Sequence, residues 1–217
     1  MTSVTEKTRS RKRRRRGELR ADLVVAARDV FVERGYHGAS LRQIAIRANA
    51  TQADLYRHFP SKAKLFEESV FRPFAEFLGQ LISDWRAGSL DELSNADLIG
   101  GFTRDMYEFT RTHRGLMLAL ISADAHGDEE LGDVRSAFRE AVAQVIAQTR
   151  ADEDTRGWSD IDQEVTVPIT IAMMISTALL DGWFFPPGAD HPGKQRVLDE
   201  LTRYEVRAIT GEQPARD

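Results

Sequence analysis

Apolar side chains recur every three to four positions from Gly17 onward. Leu19, Leu23, Ala26, Ala27, Val30 and Phe31 form one stripe, which the stretch RGYHG ends with two glycines. This predicts a first helix. Ser40 then stands as an N-cap with Gln43 three residues on, the spacing of a capping box, and Leu41, Ile44, Ala45 and Ala48 share one face of a short second helix. After the small turn ANA, Thr51 caps a third helix whose Leu55 and Phe59 point to the same side, and Pro60-Ser61 ends it and starts a fourth. Three short helices with a tight turn between the second and third describe a helix-turn-helix. The run KAKLFEESVFRPFAEFLGQLISDW predicts a long fourth helix kinked at Pro73. Helical periodicity continues over about 95–112, 114–124, 128–150, 161–185 and 194–209, with Gly-, Asp- or Pro-rich turns between. Without a β-hairpin signal or an internal repeat, the chain reads as all-α with about nine helices. It divides into residues 1–16, 17–62 and 63–212.

Charge sharpens this division. The net charge of −4 conceals two opposed halves, because residues 1–64 hold 16 Lys/Arg against 6 Asp/Glu and the remainder hold 14 against 28. The N-terminal end suits a polyanion. Residues 1–16 end in RSRKRRRR and lack apolar periodicity, so they are expected to be a disordered basic arm, with Arg13, Arg14, Arg15 and Arg16 beside the helix-turn-helix. A solubilising tail and a polybasic membrane tether are the other readings of the arm, but no acylation motif or amphipathic apolar face accompanies it.

Composition excludes several chemistries. Without cysteine the 217-residue chain has no disulfide, thiolate nucleophile or cysteine-held metal, and a reducing cytoplasm is the expected location. No apolar segment follows the N-terminal charges as a secretory signal requires. The longest apolar run, Val165 to Leu180, is interrupted by Thr, Ser and Pro and falls short of the roughly 20 residues of a bilayer span. Neither a nucleophile–base pair nor a metal cluster is legible, so no enzyme, no cofactor and no metal site is expected. The acidic stretch DAHGDEE at 124–130 reads as a turn and helix start.

The stretch DVFVERGYHGASLRQIAIRANATQADLYRHFPSKAKLF resembles the DNA-binding region of the TetR family of transcriptional regulators. The resemblance lies in F-x-x-x-G-Y-x-x-x-S at the end of helix one, the Ile-Ala pair in helix two, and L-Y-x-H-F-x-S-K-x-x-L-F across helices three and four, over about residues 20–67. The residues support the same reading independently. Gln52, Ala53, Tyr56 and Arg57 share one face of helix three, while Leu55 and Phe59 turn inward toward Ile44, Leu41 and Phe31. Gln pairs bidentately with adenine, Arg with guanine, and a small Ala approaches a thymine methyl. Tyr56, Lys62, Ser40 and the free N–H groups opening helix two suit phosphate oxygens. Thr51 opens the helix. Asp54 stands where the family usually has a small Thr or Ser; an acid near phosphates is unfavourable unless it accepts from a cytosine amino group or pairs with Arg57 or a nearby lysine, which bears on the target sequence. Arg42 resembles a position that often reaches a base or phosphate in the family. A helix-turn-helix dimer implies a palindromic DNA operator, and the arginine arm could enter an adjacent minor groove.

The resemblance further implies that the C-terminal helices form an effector pocket and a homodimer interface. Phe102, Met106, Tyr107, Phe109, Met117 and Leu120, with Met173 and with His113 at a helix break, are the candidate effector-binding residues. Their alternative role is plain core packing. The segment VTVPITIAMMISTALLDGWFF is apolar on nearly all sides and must be covered, by a second subunit or within one. The candidate interface is Ala172, Ile175, Ser176, Leu179, Trp183, Leu198 and Leu201. The expectation is a cytoplasmic dimeric DNA-binding regulator, a repressor released by a hydrophobic or amphipathic small molecule. The alternative is a constitutive DNA-binding protein without a ligand.

Overall fold

The computed structural model describes residues 16–89, 92–124, 131–158 and 160–210. Among them the regular structure is helical throughout. The first unit holds α1 (Arg16–Gly38), α2 (Leu41–Arg47) and α3 (Gln52–His58). Gly35 interrupts α1 with φ 66° and ψ 176°, a positive φ that costs glycine little; the chain leaves the helix there to place Tyr36 in the core. Tyr36, Phe31 and Phe66 pack ring against ring, with centroids 5.0 to 6.0 Å apart. This aromatic knot ties the helix-turn-helix to the chain that follows.

That chain is a nearly continuous rod. α4 (Lys62–Phe66) runs through a π-helical turn (Glu67–Phe71) into α5 (Arg72–Asp84), and a second π turn (Trp85–Ser89) ends it. The predicted kink at Pro73 takes this form: the proline occupies the first turn of α5, where its missing N–H removes little, and the widened turn lies just before it. α6 (Asn95–Thr112), α7 (Arg114–Asp124), α8 (Gly132–Ala151), the one-turn α9 (Glu153–Arg156), α10 (Gln163–Leu179), the one-turn α11 (Asp181–Phe184) and α12 (Lys194–Thr210) follow. The segment expected as one helix over 161–185 is broken at Leu180, whose φ and ψ of −102° and 14° leave the helical region before α11 begins. Residues 128–130 of the helix expected from 128, and most of the acidic stretch at 124–130, lie outside the described residues.

α6 contacts α10 and α12, α5 contacts α8, and α1 lies along α7. The α1–α7 contact is close because Gly115 has no side chain: a Cβ there would stand 2.5 Å from Val32 Cγ1. One apolar cluster runs from Leu23 and Phe31 through Val70, Phe74 and Met117 to Ile171 and Met174. Packing is therefore continuous across the boundary expected at residue 62/63, and movement in the larger unit has a rigid path to the smaller one.

Candidate functional site

Two places in this fold carry chemistry that packing alone does not use. The first is α3. Leu55 and Phe59 are fully buried against the cluster that includes Ile44 and Phe31, with Leu41 packed at its edge. Leu55 and Phe59 hold α3 down and leave Gln52, Ala53, Tyr56 and Arg57 exposed together, Tyr56 to 55%. Exposing a tyrosine this far on a seven-residue helix serves no packing purpose.

Local polar bonds set the helix ends. At α2 the Ser40 hydroxyl accepts from the Gln43 amide at 3.2 Å while the Ser40 amide donates to Gln43 Oε1 at 3.3 Å, a complete capping box. α3 repeats it. The Asp54 amide donates to Thr51 Oγ1 at 3.1 Å, and Asp54 Oδ2 accepts from the Thr51 amide at 3.1 Å and from its hydroxyl at 2.6 Å. Asp54 Oδ1 also accepts from Arg57 Nη1 at 3.0 Å. The Thr51 hydroxyl and amide, and then Arg57, hold the Asp54 carboxyl below its usual range. Asp54 thus closes the cap and aims Arg57. The signal was present as the T-x-x-D spacing of TQAD, the same spacing that marks Ser40 and Gln43.

The remaining candidates divide. Arg42 is exposed on α2, and Thr51 and Ser40 are exposed caps. Lys62 is half-buried with its Nζ 4.5 Å above the Tyr36 ring, so packing on the aromatic knot holds it near the helix-turn-helix surface. His58 lies half-buried beside Phe59, turned from the α3 exposed face. Arg13, Arg14 and Arg15 lie outside the described residues, as does the side chain of Arg16.

The second place is an apolar cavity of about 60 Å³ at the end of the rod opposite Lys62. Trp85 from the end of the rod, Phe102 and Leu98 from α6, Trp158, and Val167 and Ile171 from α10 wall it, and Glu205 of α12 reaches into the lining. Glu205 is 1% exposed. Its Oε2 is bonded to the Thr103 hydroxyl, whose oxygen also lies 2.7 Å from the Ile99 carbonyl, and its Oε1 has no hydrogen-bond partner among the described residues. Burial pushes the carboxyl up to about 7, with the Thr103 bond pulling modestly the other way. The indole N–H groups of Trp85 and Trp158 are likewise buried without partners.

Of the candidate effector residues, Phe102 lines this cavity. Met106, Phe109, Met117 and Leu120 pack in the main core, Phe109 stacked on Phe77 at 4.2 Å. Tyr107 is buried in a satellite cluster with Leu198 and Leu201, its hydroxyl near Arg111 and Asp181 and with Met173 at the edge. His113 sits with its ring 4.5 Å from Phe109, and burial, then Arg28, lower its pKa. The helix break at His113 does not adjoin the cavity lining. Sequence reasoning did not single out Glu205, Trp158 or Thr103, because their meeting depends on residues a hundred positions apart.

Of the candidate interface residues, Ala172, Ser176 and Trp183 are exposed and Ile175 is half-buried, whereas Leu179, Leu198 and Leu201 are buried inside the chain. Val165, Ile169, Phe184 and Tyr204 are exposed large apolar groups on the same three helices. Val165, Ile169, Ala172 and Ser176 follow one another at helical spacing, which is the signal that could have found the stripe. Among the described residues no helix is long and apolar enough to cross a membrane, and no group of three metal-ligating side chains is found.

The profile of bacterial regulatory proteins of the tetR family matches residues 23–69. Over 51 residues the chain is 49% identical to the HTH-type transcriptional activator FasR of Mycolicibacterium smegmatis, an alignment covering 24% of this chain and 23% of that protein. It is 25% identical over 145 residues to the HTH-type transcriptional repressor KstR of Mycobacterium tuberculosis, covering 67% and 64%. The matched stretches thus span less than two thirds of these relatives. Among solved structures, the transcriptional regulator FadR from Bacillus subtilis in complex with stearoyl-CoA superposes with a TM-score of 0.61 at 15% identity, covering 89% of this chain and 99% of that one. The motif residues and the helix-turn-helix they build agree with that profile: residues 23–69 are a DNA-binding region of the kind found in bacterial regulatory proteins of the tetR family.

Proposed function

We propose that this protein is a cytoplasmic transcriptional repressor that binds a palindromic operator as a homodimer and releases it when a small apolar effector enters the cavity. The observation that carries the DNA-binding half is α3 itself: a short helix anchored by Leu55 and Phe59, presenting Gln52, Ala53, Tyr56 and Arg57 to solvent. Gln52 and Arg57 are the base readers, Ala53 the thymine-methyl contact, and Tyr56, Ser40, Arg42 and Lys62 the phosphate contacts. Asp54 restricts Arg57 to fewer orientations, so the guanidinium meets its base with less entropy to lose.

The exposed apolar stripe of α10, α11 and α12 supports the dimer. Trp183 at 83% and Tyr204 at 69% exposure are too large a hydrophobic surface to leave to water on a monomer. Two copies place two α3 helices about one DNA turn apart.

The rod supports the coupling. Lys62 to Ser89 spans about 40 Å at helical rise, with Trp85 on the cavity at one end and Lys62 beside α3 at the other. A ring-sized ligand needs more room than the cavity offers, since cavities that hold benzene measure about 150 Å³. Entry therefore displaces Trp85, and the rod passes the tilt to α1 through the aromatic knot. A preference of a few kcal/mol for the tilted state suffices to empty an operator.

The test is selection of an operator from random DNA, followed by titration of Gln52→Ala and Arg57→Ala against it. Loss of sequence preference supports the reading; unchanged preference in both variants overturns it. Sedimentation as a monomer at micromolar concentration overturns the dimer. Deleting residues 1–16 should weaken binding to all sequences and flatten the salt dependence, and an unchanged slope overturns the arm's role.

A further inference from the structure

The cavity has a chemical preference built into it. Its walls are hydrocarbon and aromatic ring, yet one carboxyl lies in them almost fully removed from water with an oxygen that no protein group satisfies. A buried polar atom without a partner is costly, and the groups nearest Glu205 do not relieve it. Thr103 of α6 is bonded to it, and Val145 and Thr149 of α8 and Thr166 and Thr170 of α10 line the same cavity. No other acidic or basic side chain is found among the described lining residues. The charged groups of the flanking helices, Arg104 and Asp105 on α6, Arg150 and Glu164 paired across α8 and α10, and Arg203 and Arg207 on α12, are exposed to solvent; the largely buried Arg156 guanidinium lies 5.7 Å from the Trp158 ring centroid and is paired with Asp152.

We propose that this cavity takes a small lipophilic amine, its ring among Trp85, Phe102 and Trp158 and its ammonium on the Glu205 carboxylate, an inference that rests on the cavity being the effector site. An ammonium donates a charge-assisted hydrogen bond to the open oxygen and lies against aromatic faces that attract cations. An alcohol supplies only a neutral bond. A carboxylate ligand meets a second acid with no Lys or Arg among the described lining residues to neutralise either, so an acidic head is selected against.

The proton balance sets a signature. When Glu205 is protonated, its hydroxyl donates to Thr103 and Thr103 to the Ile99 carbonyl; when ionised, Thr103 turns its single proton to the carboxylate. An ammonium that binds the protonated form must expel that proton to solvent. Because burial holds this carboxyl at about 7, amine affinity should fall about tenfold per pH unit below that value and level off above it.

The experiment is calorimetric titration of the full-length protein with 2-phenylethylamine, 2-phenylethanol and 3-phenylpropionate, at pH 6 and pH 8. At pH 8 the amine should bind at least tenfold tighter than the other two, and about tenfold weaker at pH 6 than at pH 8. Glu205→Gln should bring the amine and the alcohol within about threefold of each other. Thr103→Val, which keeps the carboxyl and removes its hydroxyl partner, should raise the pH at which amine binding weakens; it decides the matter with the wild type if Glu205→Gln does not fold. Alcohol or carboxylate binding as tightly as the amine at pH 8, or an amine preference that survives Glu205→Gln, overturns the proposal. Operator release measured alongside separates the two readings. Release by the alcohol or the acid without amine preference sinks the amine and keeps the regulator. Glu205-dependent amine binding that leaves operator affinity unchanged supports the amine site and sinks its effector role.

Discussion

Polar groups are satisfied differently around α3 and at the cavity. Around α3 the partners are three residues apart: Ser40 with Gln43, Thr51 with Asp54, Asp54 with Arg57, Ser61 with Lys64. In the helical bundle local pairs such as Ser94 with Asp97 are joined by pairs from distant segments: Thr103 with Glu205, Arg86 with Gln148, Arg111 with Asp181, Lys194 with Glu108. Some at the cavity find no partner among the described residues. A surface that must meet DNA benefits from caps that hold its backbone without tying down its exposed face. On the proposed function, a cavity that accepts a ligand keeps unsatisfied groups, because a ligand can then supply what the protein withholds. The difference is one of completeness: the caps of α3 are closed within the helix and its N-cap, whereas the cavity leaves buried polar atoms without partners among the described residues.

The comparison breaks first at the apolar anchor. Leu55→Ala should destabilise the helix-turn-helix by about 2–5 kcal/mol and abolish operator binding, as a fully buried leucine loses both transfer energy and packing. Denaturant unfolding read together with DNA binding checks it. If stability falls but operator affinity holds, α3 does not need its buried face to read DNA.

Next comes the buried acid. Glu205 has a folded-state pKa of about 7 against an ordinary value near 4.5, so the folded protein holds a proton that the unfolded chain has lost across that window. Its contribution is fully present below pH 4.5 and is lost as pH rises through about 7. Relative to Glu205→Gln, the wild type should therefore lose about 3 kcal/mol between pH 4.5 and pH 8, at roughly 1.4 kcal/mol per pH unit. Parallel unfolding of both proteins across this range tests the claim that the cavity end carries an unmet electrostatic cost. Equal pH profiles would remove it.

At the reading face the effects are smaller and of a different kind. Gln52→Ala or Arg57→Ala should each relax discrimination at one base position by about 1–3 kcal/mol with little change in stability. Asp54→Ala should weaken discrimination at the Arg57 position without touching the Gln52 position, since it frees the guanidinium rather than removing it. Competition binding with single-base operator variants separates these outcomes. Uniform loss at all positions would make both residues phosphate contacts.

The smallest effect belongs to the cap. Thr51→Ala should cost about 1 kcal/mol, and combining it with Asp54→Ala should cost less than the sum, because each residue holds the other. Additive losses would show that the box acts as two separate bonds.

The helix-turn-helix was legible along the chain because its signals are local. Ser40 and Thr51 announce helix starts, Leu55 and Phe59 repeat at i, i+4, and the glycine at position 35 marks a backbone excursion the structure confirms at φ 66°. The role of Asp54 was legible in part: pairing with Arg57 was among its readings, whereas its cap on Thr51, in the same spacing as Ser40 and Gln43, was not. The interface stripe was half legible. Helical spacing places Val165, Ile169, Ala172 and Ser176 on one face, but a run apolar on all sides hides which face points out, and Leu179 faces in.

Sequence by itself determined the helices, the anchored and exposed faces of α3 and the tetR-type motif at residues 23–69, because hydrogen-bonded caps and apolar periodicity act within four residues. Tertiary structure alone decided that Trp85, Trp158, Thr103 and Glu205 meet in one cavity and that Tyr107, Met106 and Met117 are core. Whether an aromatic or an acid lines a cavity depends on what packs opposite it, and that partner lies up to a hundred residues away along the chain.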